Sequence, residues 1–512
     1  MQTPQFRRSM SWFLLAAFAL MSFSFKVGSY PLTDRDEALY SEVARECLDT
    51  GDWWTLHWQQ KPWFIHAPLA MWIQATGFRF LGVSELTARL PSVLFGVALV
   101  LLTAAFGAML FDRRTGLMAG WILASCPIFY IIARMAILDM PFAFFITLSI
   151  FLFVRAWRRN DSGLYAAFWL ATGLATLCKG LWGLALPLTV SFLYAVTDRD
   201  RRRLLDWRLY AWMPVWAAIV APWLIVGTIR HGREFLEPIL VTNTYARLTT
   251  SVCTHKGPWW FYVPIMLVGL FPWIVLWPGA FVKQKGDAGR LLLLWIVPAL
   301  ILYSSARTKL PNYVLPLVPA LAIMLAASVA ESKRRLAQGI ALPLLGVGIA
   351  VGVTFGMRAF EGMSSLSRPV EVLTIIGGAY SVAGFALVRS KNSGVAIAAI
   401  LMTAVLTLIP LGYMKVASEM SPKQITQHAR SHAGNAPIVI AYGVSCGDGI
   451  YFYAREPFVC ADTLDELARA LPAMKGDYLL VLSERQFSDL SRRGFKLRIL
   501  DQSRKWILAR RT

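Results

Sequence analysis

The chain has 512 residues, 56% of them hydrophobic and 16% charged, with a formal net charge of +21, and its mean hydropathy is +0.52. This composition excludes an ordinary soluble protein and defines a polytopic membrane protein. The cations recur in short clusters between apolar runs, as at Arg113-Arg114, Arg158-Arg159, Arg201-Arg202-Arg203 and Lys333-Arg334-Arg335, a cytoplasmic-loop pattern that argues against nucleic acid as a partner.

In chain order, Arg7-Arg8 precede an apolar run over 12–27, read as a retained first helix rather than a cleaved signal. Residues 37–48 set Ala38, Val43 and Leu48 against Glu37, Glu42, Arg45 and Glu46, which predicts an amphipathic helix lying along the membrane surface. Residues 67–80 predict a second. Apolar spans follow near 88–110, 116–133, 139–156, 163–178, 181–197, 209–229, 259–280, 290–304, 312–330, 337–356, 371–388 and 394–414. With the first at 11–28 they make about thirteen transmembrane helices. The cation clusters then fall on the cytoplasmic side, and the first loop, the corners at 134–139 and 178–180, and everything after 415 fall outside.

The texture changes after Lys415. Strands are expected at 436–442, 450–453, 478–482, 495–500 and 506–509, with helices at 464–471 and 486–493. The expected organisation is therefore a transmembrane domain over 1–414 and a small external α/β domain over 415–512. The latter has neither a Gly-rich phosphate loop nor a nucleophile elbow, so no chemistry is assigned to it. Cys446 and Cys460 share this segment and could pair in an oxidising compartment.

The external loops hold charges that the positive-inside rule does not explain: the cations Arg134, Lys179, Arg247, Arg307 and Lys309, and the acids Asp36, Glu37 and Asp139. Charges at the membrane rim are costly unless they face an aqueous cavity. Two carboxylates beside several cations suit a reaction in which an acid accepts a proton and the cations hold an anionic leaving group such as a lipid phosphate. Structural roles compete. Asp36 and Asp139 can each cap the helix that follows, Lys309 can snorkel, and His66 can be an interfacial histidine. His428 and His432 have i,i+4 spacing but no third metal ligand, so a solvated helix face is expected.

At these residues the chain resembles a known family. Asp36-Glu37-x-x-Tyr40, then Glu42-x-x-Arg45-Glu46 and Gly51-Asp52-Trp53, is similar to the first external loop of the bacterial lipid A aminoarabinose transferases and their protein O-mannosyltransferase-like relatives. Phe64-Ile65-His66-Ala67-Pro68-Leu69, Arg134 to Pro141, Cys178-Lys179-Gly180, Pro222-Trp223, Pro272-Trp273 and Lys309-Leu310-Pro311-Asn312-Tyr313 follow in the family's order. The resemblance implies a GT-C fold and transfer of a sugar from a polyprenyl phosphate donor to an envelope acceptor: lipid A, another glycan or a protein. It implies Asp36 as the principal catalytic carboxylate, with Asp139 in support. Glu37, Tyr40, His66, Arg134, Lys179, Arg247, Lys309 and Tyr313 are the expected substrate contacts, with Lys309 and Tyr313 at the donor phosphate.

Departures from the family bear on chemistry. Leu39 stands where the aminoarabinose transferases have Arg, Ile65-His66 where they have Glu-Lys, and Asn243-Thr244 where they have Glu-His. The expectation is therefore no bound metal and no cofactor, with the identity of the sugar open. The chain is expected in the bacterial inner membrane among its lipids, with the site on the periplasmic face. A flippase or transporter of a lipid-linked glycan is the alternative, but no internal repeat with paired broken helices is visible. A membrane scaffold would not need the external acids.

Overall fold

The computed structural model describes residues 4–32, 36–246, 257–276, 286–331, 382, 394–407 and parts of 421–511. The spans expected at 337–356 and 371–388 lie outside the described residues. Five described helices have the length and composition to cross a membrane: Glu85–Leu110, Asp139–Arg159, Trp207–His231, Gly286–Ser305 and Pro311–Ala330. Shorter apolar helices occupy Ser9–Ser24, Trp182–Val196 and Gly394–Thr407. The chain is a multi-pass, mostly helical membrane protein.

The residues gather into two compact units. The first comprises Met1–Phe25, Phe64–Ala70 and Pro91–Ile409; the second comprises Lys26–Trp63, Met71–Leu90 and Pro410–Thr512. The second unit thus takes in most of the first loop as well as the C-terminal segment.

In the first unit, the span expected over 116–133 is two helices, Arg113–Ala124 and Pro127–Ile132. Pro127 lacks an N–H and is suited to the first turn, so it opens a new helix rather than continuing the old one. Ser125 stabilises the break. Its hydroxyl donates to the Trp121 carbonyl at 2.7 Å and accepts the Trp273 indole N–H at 3.0 Å. Asp139–Arg159 and Ser162–Lys179 form an antiparallel pair through a tight corner. There Asn160 adopts φ +53° and the Asp161 carboxylate caps Gly163 N at 2.9 Å. Trp182–Val196 then packs back so closely that a Cβ on Gly183 would lie 2.2 Å from the Ala175 backbone. The span expected at 312–330 starts as a 3-10 turn, Pro311–Leu317, because Pro311 and Pro316 withhold two backbone donors.

In the second unit, the expected surface helix is Asp36–Thr50, yet Glu37, Glu42 and Glu46 are all buried. Each acid has a partner, which corrects the picture of a solvated polar face. Glu37 forms a two-point ion pair with Arg89, Nε to Oε1 and Nη2 to Oε2, each at 2.9 Å. Glu42 binds Arg45 at 2.5 Å. Burial pushes the Glu42 pKa up, and Arg45 only partly opposes this. Glu46 accepts the backbone N–H groups of Gln59 and Gln60 at 2.8 and 3.0 Å. Those two residues, at φ +54° and +60°, form the tight turn between β1 (His57–Trp58) and β2 (Lys61–Pro62). The second expected helix is Leu69–Leu81.

The C-terminal sheet runs β4-β3-β5-β7-β6, with β3 (Ile438–Ala441), β4 (Phe458–Ala461), β5 (Leu479–Ser483), β6 (Leu497–Gln502) and β7 (Trp506–Arg511). β3 is parallel to β4 and β5, whereas β7 is antiparallel to β5 and β6. Alternate residues of β5 serve opposite faces. Leu479 and Val481 pack with Ile425 and Ala429 of helix Lys423–Ala433. Leu480 and Leu482 pack with Leu467 of helix Leu464–Ala470 and Leu490 of helix Glu484–Arg492. The strand expected at 450–453 is instead a helical turn at 451–453. A parallel β3/β4 pair needs a long crossover between its strands, and this turn lies in it. His428 and His432 are both exposed, the solvated face expected, and His428 pairs with Asp501 through Nδ1. The Cys446–Cys460 question lies outside the described residues.

Candidate active site

Two helix ends create the polar centre of the first unit. Asp139 is the first residue of Asp139–Arg159 and Lys179 the last of Ser162–Lys179. Because the helices are antiparallel, both lie at the same end. A carboxylate at a helix N-terminus and an ammonium at a C-terminus both complement the macrodipoles. The ammonium donates to Asp139 Oδ1 at 2.6 Å, and Asn312 Nδ2 donates to Oδ2 at 2.9 Å. The helix takes Leu138 as its N-cap and no side-chain cap bond forms, so Asp139 does not act as the cap. Gly180, at φ +65°, ends the second helix and lets the chain turn.

This cluster opens into a cavity lined by Phe142, Trp182, Trp223, Tyr303 and Tyr313, with His66, Thr308 and Ile65 on its wall. Lys179 Nζ lies 5.1 Å from the Tyr313 ring centroid and 5.3 Å from that of Phe142. The ammonium thus has one carboxylate partner and two aromatic faces. Such a group can also accept an anion, with apolar walls excluding water and strengthening the attraction.

Asp139, Lys179, His66 and Tyr313 all line this cavity. Asn312, Thr308, Trp182 and Trp223 join them without having been assigned a role. Trp223 and Asn312 stand within quoted motifs, whereas Thr308 and Trp182 are signalled only by adjacency to motif residues. Asp36, Glu37 and Tyr40 lie in the second unit, where Asp36 is exposed at the start of its helix and Glu37 and Tyr40 are buried. Arg247 lies outside the described residues.

Three expected substrate contacts prove to be engaged elsewhere. The Glu37 carboxylate is bound at both oxygens by Arg89. Arg134 donates to the carbonyls of Ser22, Phe23 and Phe25 at 2.9, 3.2 and 2.7 Å. It satisfies acceptors that the end of the first helix leaves open. Lys309 donates to the carbonyls of Ser304, at 2.8 Å, and Ala306, and burial presses its pKa downward. Its neighbours Thr308 and Asn312 line the cavity instead. Among the described residues no group of three or more His, Cys, Asp or Glu gathers in a way that could hold a metal ion.

Likeness to solved structures gives the fold as a helical membrane fold of the GT-C type. Nearly the whole chain superposes on a structure of ArnT from Cupriavidus metallidurans bound to undecaprenyl phosphate, with TM-score 0.81, 22% identity and 97% of each chain covered. A more distant likeness is the archaeal oligosaccharyltransferase AglB from Archaeoglobus fulgidus, at TM-score 0.54 and 11% identity, covering 93% of this chain and 69% of that one. Residues 65–226 match the family described as Dolichyl-phosphate-mannose-protein mannosyltransferase. The undecaprenyl phosphate-alpha-4-amino-4-deoxy-L-arabinose arabinosyl transferase of Pectobacterium carotovorum is 29% identical over 409 residues, 74% of this chain and 71% of that protein. Its Yersinia pestis counterpart is 25% identical over 467 residues, 85% of this chain and 82% of that protein. The chain is thus similar along most of its length to the bacterial lipid A aminoarabinose transferases, and over residues 65–226 to the protein mannosyltransferase family.

Proposed function

We propose that the chain is a glycosyltransferase that moves a sugar from a polyprenyl phosphate to an envelope acceptor at the periplasmic face of the inner membrane. The observation that carries this reading is the Lys179–Asp139–Asn312 cluster at the mouth of an aromatic-lined cavity. Relatives named for undecaprenyl phosphate-linked aminoarabinose support the donor class. Orientation is supported by the helix that carries Asp139 at one end and Arg158-Arg159 at the other. By helical rise those ends are about 30 Å apart, and the cation-rich end is the cytoplasmic one.

In this reaction the acceptor oxygen attacks the anomeric carbon from the face opposite the phosphate. The bond from that carbon to the phosphate oxygen breaks with its electron pair on the leaving phosphate, and the configuration inverts. Lys179 supplies positive charge as the phosphate leaves, assisted by His66 and by Arg247. Asp36 takes the acceptor's proton. Asp139 orients Lys179, and Tyr313 and the tryptophans pack on sugar or prenyl chain. Glu37 holds Arg89, and Arg134 and Lys309 hold backbone carbonyls. The acceptor is lipid A, another glycan or a protein hydroxyl.

Mass spectrometry of envelope lipids and glycans, from cells with the protein, without it and with Asp36→Asn, tests the reading. The expected result is one hexose or pentose addition present only with the unaltered protein. Near-normal product with Asp36→Asn would remove Asp36 from the chemistry. Thiol labelling of intact spheroplasts tests the orientation, with Leu204→Cys shielded and Met420→Cys labelled. The reverse result would place the site in the cytoplasm and rule out this reaction.

A further inference from the structure

The proposed reaction leaves the C-terminal segment without a task, although it is tied to the first loop inside the second unit. Tyr453, on the helical turn at 451–453, is the centre of that tie. The Leu32 backbone N–H donates to the Tyr453 phenol oxygen at 2.7 Å. The phenol donates in turn to Glu85 Oε1 at 3.2 Å, and Lys423 Nζ donates to the same oxygen at 2.5 Å. Lys423 also lies 5.7 Å from the Tyr453 ring centroid. The ion pair fixes the carboxylate, the carboxylate fixes which way the phenol proton points, and the phenol's free lone pair then holds Leu32. Bonds linked in this way polarise one another.

Leu32 is close upstream of Asp36. On the same stretch Arg89 grips the carbonyls of Val27 at 2.8 Å, Tyr30 at 2.9 Å and Pro31 at 2.8 Å, as well as Glu37 just downstream. Leu32 before Asp36 and Glu37 after it are therefore each held by an anchor. Arg89 is local to the first loop, whereas Tyr453 and Lys423 come from the far end of the chain, 421 and 338 positions away from their partners. A reacting carboxylate needs its backbone held to a fraction of an ångström, and displacements of about 1 Å can cost on the order of a hundredfold in rate.

We propose that Tyr453, Glu85 and Lys423 form a positioning relay through which the C-terminal segment holds Leu32, upstream of Asp36. These residues touch no substrate; they act on transfer through Asp36. The inference rests on Asp36 being the catalytic carboxylate.

Two measurements on the full-length protein test it. The first is amide hydrogen exchange across 26–37 in lipid nanodiscs, which needs no substrate. Tyr453→Phe keeps the ring but removes the acceptor, and should raise exchange at Leu32 several-fold while leaving helix Asp139–Arg159 unchanged. The second is sugar-modified envelope product by mass spectrometry at matched membrane levels of protein. Tyr453→Phe and Lys423→Met should each lower product at least about fivefold, and Lys423→Arg should restore most of it, because the ammonium's role is to hold Glu85. Lys423 is one-third exposed, so its variants keep the fold even where Tyr453→Phe does not. Unchanged exchange at Leu32, unchanged product, or product that falls only in step with protein level would overturn the relay. Asp36→Asn separates the two readings. If it leaves product intact, the carboxylate assignment fails, whereas if it abolishes product while Tyr453→Phe and Lys423→Met do not lower it, the relay alone fails.

Discussion

Each unit holds a buried pair of opposite charges, and the two are built differently. In the second unit Arg89 and Glu37 are 0% and 1% exposed. Both carboxylate oxygens are taken, and the guanidinium also donates to three carbonyls. In the first unit both Asp139 oxygens are also taken, by Lys179 and Asn312, but the Lys179 ammonium has one carboxylate partner among the described residues and borders a cavity, facing Tyr313 and Phe142. A saturated pair can only hold the fold. An unsaturated pair beside a cavity can exchange one partner for a ligand. Satisfaction of the hydrogen-bonding capacity, rather than burial alone, distinguishes a charge that can only serve the fold from one that has capacity left for a ligand.

The comparison breaks most visibly at Arg89. Arg89→Met strands a buried carboxylate, and removing one partner of a buried pair costs about 3–5 kcal/mol. The expected outcome is little folded protein in membranes and early thermal unfolding in detergent. Arg89→Lys should rescue poorly, since one ammonium cannot reproduce the forked contacts. Normal yield and melting of Arg89→Met would show that the saturated pair is not structural.

Lys179→Met should do the opposite, keeping the fold and losing transfer by about a hundredfold or more, the scale for losing a preorganised charge at a reacting centre. Thermal unfolding and turnover measured on the same preparation check it. Unfolding comparable to that of Arg89→Met would erase the distinction between the pairs.

Lys309 gives an intermediate case. Its ammonium caps carbonyls, so Lys309→Met should cost about 1–3 kcal/mol in stability, with the donor requirement changing less than about twofold. A large rise in the donor requirement at unchanged stability would return Lys309 to the phosphate site that the motif suggests.

The smallest effect is expected at Asp501. The hydrogen bond from His428 holds its carboxyl below the ordinary range. A depressed folded pKa means the interaction stabilises above the unfolded carboxylate pKa and is lost as pH falls through the folded one. The pair is substantially exposed, so Asp501→Asn should cost less than about 1 kcal/mol near neutrality. At pH low enough to protonate Asp501 in both states the difference should vanish. A cost that grows toward low pH would reverse the sign of this interaction.

Much of the architecture was legible in one dimension. Long apolar runs and the cation clusters between them determine a multi-pass helical chain, because a bilayer demands continuous helices and asymmetric charge. The apolar run at 478–482 marked a strand and the Cys178-Lys179-Gly180 corner a break between spans, whereas the break before Pro127 was not read from the sequence. The pairing of Asp139 with Lys179 was half visible, since both acid and base stood at external corners of successive spans.

What those charges bind was decided only by the tertiary structure. Glu37, Arg134 and Lys309 belong to the same motifs as Asp36 and Lys179, and composition cannot separate them. The difference is whether a distant partner saturates the group. Arg89 does so for Glu37 and the open carbonyls at the end of the first helix do so for Arg134, whereas at Lys179 a cavity leaves room. The tie from Tyr453 to Leu32 was equally invisible, because it joins residues 421 positions apart by one phenol. Local pattern determines helices and strands through short-range sterics and solvent. The satisfaction of a buried charge depends on which remote segment folds against it, and that information exists only in three dimensions.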